Sequence, residues 1–157
     1  MKYSIVDCAT YIVKKFKDDQ KEILELKLEK ILYFAEAYYM VYRNRTSLFW
    51  ERWLVKPYGP MNLEVHNRFK NGGLPIDKES VDYTNIKHLP KSIRKFLDTI
   101  YDVYKDTPTS ELVELTHVPS SPWSRIAKNM TGIELAENNT KYISKKETKK
   151  WILEYFH

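Results

Sequence analysis

The residues able to do chemistry in this chain are few and scattered. The histidines are His66, His88, His117 and His157, and none stands four residues from a second metal-ligand type on a helical face. His117 is followed closely by Ser120, Ser121 and Ser124. A serine hydroxyl beside an imidazole is the minimum for acyl transfer, so this is the only hydrolytic arrangement to weigh. Its competitor is a histidine that bonds backbone groups and orients the loop leading to Trp123. There is no G-x-x-x-x-G-K-[ST] loop, no G-x-G-x-x-G and no H-E-x-x-H, and four glycines make a backbone phosphate cradle hard to build. Cys8, the single cysteine, excludes an internal disulfide and a thiolate zinc cluster, and it falls in an apolar stripe that reads as core. The expectation is therefore no catalytic residues, no metal, no cofactor and no enzymatic activity.

The elements that must carry these residues are mostly helices. The chain has 157 residues, 43% hydrophobic and 30% charged, enough for one domain over 1–157 that buries roughly 70% of its unfolded surface. Ile5, Cys8, Ala9, Ile12, Val13 and Phe16 repeat at helical spacing and predict a first helix. From Glu25 to Arg43 apolar residues occupy most of the girth, as in a helix central to a core. Residues 46–57 read as either a short strand or an irregular turn. Gly59 and Pro60 read as N-cap and first residue of the next helix, with Met61, Val65 and Phe69 inward. Residues 74–90 predict a loop with a short strand near Val81–Tyr83, followed by a helix over Lys91–Lys105. Thr107-Pro108 and Ser121-Pro122 each pair a capping hydroxyl with a proline. Thr131-Gly132 reads as a break, and Ser144 with Glu147 has capping-box spacing ahead of a terminal helix carrying Trp151, Ile152, Tyr155 and Phe156. The fold expected is a mostly α, compact multi-helix domain around a central hydrophobic helix, with at most a small β element.

Charge and aromatic content bear on partners. The net charge is +5, and Lys141, Lys145, Lys146, Lys149 and Lys150 against Glu147 leave a local +4 over 141–150. Such a segment is either a solvated helix face or a contact for an acidic partner. With no recognition-helix or aromatic RNA-binding signature beside it, nucleic acid is disfavoured. No signal-peptide pattern and no run approaching about 20 apolar residues is present, so a cytoplasmic protein without membrane association is expected. Twelve Tyr, six Phe and four Trp are enough to fill a core and leave anchors for an interface.

Three segments, in order, resemble one family. Leu26-Lys27-Leu28-Glu29-Lys30-Ile31-Leu32-Tyr33-Phe34-Ala35-Glu36 is similar to L-K-L-Q-K-L-L-Y-Y-A-Q. Trp53-Leu54-Val55-Lys56-Pro57-Tyr58-Gly59-Pro60 with Glu64-Val65 is similar to W-x-Y-G-P-V-x-x-E-V. Leu112-Val113-Glu114-Leu115-Thr116-His117, then Ser121-Pro122-Trp123 and Arg125, is similar to L-x-x-L-T-H, a short loop, P-W and a basic residue. The family is the Panacea domain family of SocA-like antitoxins, with phage-associated GepA-type members. Departures are Glu29 and Glu36 for glutamines, Lys56-Pro57 ahead of Tyr-Gly-Pro, and Val118-Pro119 after Thr-His.

The resemblance implies an antitoxin that neutralises a cognate protein toxin, encoded by an adjacent gene, by direct binding. Its alternative is a proteolytic adaptor that delivers the toxin to a protease, or a phage-associated regulatory module. A nucleic-acid-binding protein and an uncharacterised hydrolase are the remaining readings. Interface centres favour Tyr, Trp and Arg. The residues expected at a partner face are Lys30, Tyr33, Trp53, Lys56 and Tyr58, with Phe34 and Trp50 as further aromatic candidates. Gly59, Pro60, Thr116, His117, Pro122, Trp123 and Arg125 are family-motif residues expected to fix the fold.

Overall fold

A computed structural model describes residues 1–43 and 47–156. Thr46, at the edge of the segment read as strand or turn, and His157 lie outside the described residues. The architecture is the mostly helical one expected, with a single small two-stranded sheet among the described residues.

Helix α1 (Ile5–Asp18) starts at Ser4, whose hydroxyl accepts from the Asp7 amide, and it buries the predicted stripe Ile5, Cys8, Ala9, Ile12, Val13 and Phe16. Burial pushes the Cys8 thiol well above its ordinary range, consistent with a small buried hydrophobe. Helix α2 (Glu25–Tyr42) is buried nearly all round, including Lys27, Glu29, Lys30 and Glu36. It is the hub: α1, α3 (Leu63–Phe69), α4 (Lys91–Tyr104), α5 (Thr109–Thr116) and α8 (Lys145–Tyr155) all pack on it.

The segment after α2 is held by one buried carboxylate. Glu36 accepts from the Phe49 amide at 2.9 Å, the Trp53 indole N–H at 3.0 Å and Lys145 Nζ at 3.0 Å. Lys145 thus turns inward from the basic segment 141–150, and Arg125 pairs with Glu147 at 3.3 Å. Part of the charge cluster read from the sequence is spent inside the molecule.

The helix predicted from Gly59 does not begin there. Strand β1 (Leu54–Lys56) pairs antiparallel with β2 (Gly59–Met61), Lys56 opposite Gly59. Helix α3 starts four residues later, capped by Asn62 Oδ1 accepting from the Val65 amide at 3.0 Å. The Gly-Pro pair suits a helix start, but the pairing of β2 with β1 overrides that local preference. Residues 74–90 carry two 3₁₀ turns, Lys78–Ser80 and Thr84–His88, rather than the short strand expected near Val81–Tyr83. Helix α5 begins at Thr109 with Pro108 at the cap position, one residue beyond the expected Thr107 cap and Pro108 start. Helix α6 (Pro122–Ala127) has the expected Ser121 cap and Pro122 first residue. Thr131-Gly132 is a start as well as a break. Thr131 and Glu134 form a reciprocal capping box on α7 (Gly132–Glu137). Ser144 caps α8 through the Glu147 amide.

Candidate partner-binding site

The tip of the β1–β2 hairpin is held by contacts from several elements. Its two-residue turn is Pro57-Tyr58, and proline fixes φ on the first. Gly59 follows at φ +110°, where a side chain is strained. A Cβ there would lie 2.7 Å from Thr116 Oγ1 and 2.9 Å from Lys30 Cε. Gly59 is therefore the point at which all three family-like segments meet.

The third segment clamps the turn from one side. Trp123 Nε1 donates to the Lys56 carbonyl at 2.8 Å. The His117 ring lies 3.8 Å from the Trp123 ring, with Nε2 3.2 Å from the Pro57 carbonyl and Nδ1 2.7 Å from the Val113 carbonyl. Thr116 Oγ1 donates to the Val113 carbonyl at 2.7 Å and lies 3.0 Å from His117 Nδ1. The hydroxyls of Ser121 and Ser124 donate to the carbonyls of Thr116 and His117. The serines thus bond backbone carbonyls, and the His117 ring meets carbonyl oxygens and Thr116. The clamp is a positioning device for the turn.

On its other side β2 has no neighbouring strand among the described residues, and α2 supplies the partner groups from side chains. Lys30 Nζ donates to the Pro60 carbonyl at 2.8 Å, and Glu29 Oε1 accepts from the Asn62 amide at 3.2 Å. One donor and one acceptor on adjacent residues satisfy the edge groups that a third strand would otherwise take. The outer edge of β1 is covered by backbone instead: Val55 donates to the Lys141 carbonyl and Ile143 donates to the Trp53 carbonyl.

This dipeptide is electrostatically costly. Glu29 is 2% exposed and Lys30 1%. Burial raises the Glu29 carboxyl well above the carboxylate range, against the nearby Lys30 charge, with Glu25 adding to the rise. Burial likewise pulls the Lys30 ammonium below the usual lysine range, against Glu29 and Glu25.

Beside the hairpin lies a cleft of about 450 Å³ with largely apolar walls. Leu24, Leu26, Pro57, Tyr58, Met61 and Leu74 form the apolar part of its lining, and Glu29 and Lys30 are among its polar residues. Glu25 Oε2 and His66 Nδ1, 2.8 Å apart, border it. Tyr58 is 68% exposed and Leu74 65%. A concave apolar site with a few convergent polar groups is the usual form of a binding site.

Of the residues expected at a partner face, Lys30, Lys56 and Tyr58 meet at this cleft. Lys30 sits inside rather than at the rim. Lys56 donates to the carbonyls of Ala136 and Asn138, 2.8 Å each, and so caps the end of α7. Tyr33 and Trp53 belong to the core at 1% exposure each. Tyr33 hydroxyl is 2.9 Å from Thr148 Oγ1, and the rings of Tyr33 and Trp53 pack edge to face. Neither offers surface to a partner. Phe34 is also buried, whereas Trp50 is exposed under Lys2. Pro122 is buried, and Arg125 is exposed beside Glu147. Glu25, Glu29, His66 and Leu74 are not among the residues expected at a partner face from the sequence. The i, i+4 spacing of Glu25 and Glu29 on a mostly apolar helix was a usable signal, but nothing local announces His66 or Leu74.

Comparison with known proteins adds one finding. A family described as antitoxin SocA-like, Panacea domain, matches residues 28–124, more than half of the chain. That span begins on α2 and ends at Ser124, so it holds the hairpin, the Lys30 contact and the His117–Trp123 clamp. No curated protein and no solved structure matches.

Proposed function

We propose, from the premise that this chain belongs to the antitoxin SocA-like, Panacea domain family, that it is an antitoxin which neutralises a cognate protein toxin by direct binding and does not act as a catalyst. The observation that carries this reading is the exposure of Tyr58 on a turn whose other residues are all in contact with the fold. Its neighbours Lys56, Pro57, Gly59 and Pro60 are each held by a bond or close contact from α2, α5 or α6. The tyrosine itself points an amphipathic ring at solvent beside an apolar cleft. A rigid aromatic of this kind binds a partner with little loss of conformational freedom. At the clamp the His117 imidazole faces backbone carbonyls, which supports a positioning role for it over a hydrolytic one. The reading puts the encounter in the cytoplasm; no helix among the described residues is long and apolar enough to cross a membrane.

The test is co-expression with the product of the adjacent gene. The reading predicts growth arrest by the neighbour alone and rescue by this chain. It predicts loss of rescue by Tyr58→Ala at unchanged protein level. A toxic neighbour that this chain fails to rescue contradicts the reading.

A further inference from the structure

The cations of the basic segment 141–150 do not all serve the fold. Lys145 is committed to Glu36 and the Phe49 carbonyl. Lys146, Lys149 and Lys150 stand with Leu153 at i, i+3, i+4 and i+7 on α8, and so share one face, away from the buried Thr148, Trp151 and Ile152. Lys146, Lys150 and Leu153 are exposed and Lys149 is half-buried. Among the described residues none of these three ammonium groups has a carboxylate at ion-pair distance or a hydrogen-bond acceptor. Glu147, the acid between them, is engaged by Arg125 of α6 at 3.3 Å, which leaves Glu154 as the other acid of the helix.

Their placement works against the helix that carries them. All three lie in the first half of α8, towards the positive end of its dipole, and the last turn holds no basic residue. Cations stabilise a helix at the opposite end, whereas an anion is favoured at this one. Unpaired lysines and the helix terminus therefore add to one positive field over one exposed face.

We infer that the outer face of α8 binds the phosphate backbone of nucleic acid, irrespective of base sequence. The occupant must carry repeated negative charge, because the cations recur along the helix, about 6 Å of rise from Lys146 to Lys150. Protein interfaces are depleted of lysine, which disfavours an acidic protein here. Lysine meets phosphate as a point charge and places little demand on geometry. No base-reading motif accompanies these lysines, so the contact supplies affinity and not sequence preference. No residue of α8 lines the Tyr58 cleft, so the two surfaces draw on different residues.

The test is fluorescence anisotropy of the full chain with labelled DNA duplexes of two unrelated sequences. The inference predicts equal binding of the two, weakened about fortyfold between 50 and 200 mM salt, as for about three neutralised phosphates. Lys146→Gln, Lys149→Gln and Lys150→Gln together should lower the affinity at least tenfold at the lower salt and flatten the salt dependence, each removing about one from its slope. The exposed lysines Lys87, Lys91 and Lys95 give the control: their replacement by Gln removes the same charge and should change the affinity less than about twofold. These are surface side chains, and an unchanged thermal midpoint separates lost binding from lost folding. Duplex RNA offers the same phosphates, and the polymer bound more tightly is the one assigned. No binding of either polymer at the lower salt, equal losses from the two triple variants, or tighter binding of polyglutamate of equal charge overturns the inference. The measurement involves no toxin, so its failure leaves the antitoxin reading untouched.

Discussion

Replacing Glu29 by glutamine should stabilise the protein at neutral pH and do nothing at acid pH. Glu29 is buried, receives one backbone amide at 3.2 Å and has its carboxyl pushed up from its ordinary 4.5 to about 8. The folded chain then holds a proton that the unfolded chain releases above pH 4.5. Stability therefore falls as pH rises from 4.5 towards 8, by about 1.4 kcal/mol per unit at most. Between 4.5 and 7 the loss reaches an upper bound of about 3 kcal/mol. Glutamine keeps an oxygen for the Asn62 amide, and like the protonated acid it can offer a donor towards Glu25, without the ionisation of the unfolded state. Urea denaturation of both chains at pH 4 and pH 7 measures the difference, because titrating groups that do not interact with Glu29 cancel between the two, leaving Glu29 with its coupled neighbours Lys30 and Glu25. The expected result is coincident stability at pH 4 and a Glu29→Gln variant more stable by about 1–3 kcal/mol at pH 7. A variant less stable at pH 7, or a gap that does not change with pH, would refute the claim that burial keeps this carboxyl protonated. Lys30 acts in the opposite sense and later. With its ammonium lowered to about 8, the unfolded chain holds the extra proton above that pH, and stability recovers as pH rises further.

Glu36→Gln should do the reverse of Glu29→Gln. Its two oxygens serve the Phe49 amide, the Trp53 indole and Lys145, so an NH₂ at either position faces a donor. A loss of about 2–4 kcal/mol is expected by denaturation at pH 7. Gly59→Ala should cost about 2 kcal/mol or more, from a φ of +110° and the contacts at 2.7 and 2.9 Å. A thermal midpoint within a degree of the parent chain would show that the turn is looser than described.

The sequence made the helices legible where one physical signal dominated. The stripe of α1 and the apolar girth of α2 set both elements to within two residues or so, because burial on one face or all round leaves a periodic trace. It misled where local chemistry and long-range pairing disagree. Gly59-Pro60 reads as a helix start, yet it is a strand because β1 and the side chains of Glu29 and Lys30 complete its hydrogen bonds. Thr131 was read as a terminator because glycine follows it, although the capping-box partner Glu134 was in view. The proposed partner face was half legible. The Tyr58 turn follows from its prolines and glycine, but Tyr33 and Trp53 lie in the core, since an aromatic run does not say which ring faces inward. The wall opposite Tyr58 comes from Leu74, brought there by a loop whose path is set only in the folded chain.

The central claim is that this face binds a protein toxin, and co-purification of tagged chain with the adjacent gene product tests it most directly. Wild type, Tyr58→Ala and a surface control such as Val103→Ala should be compared at matched thermal stability. The account predicts a stoichiometric complex for wild type and the control, and its loss for Tyr58→Ala with an unchanged melting midpoint. A complex that survives Tyr58→Ala undiminished would contradict the placement of the interface at this turn, and no complex with a toxic neighbour would contradict direct neutralisation itself.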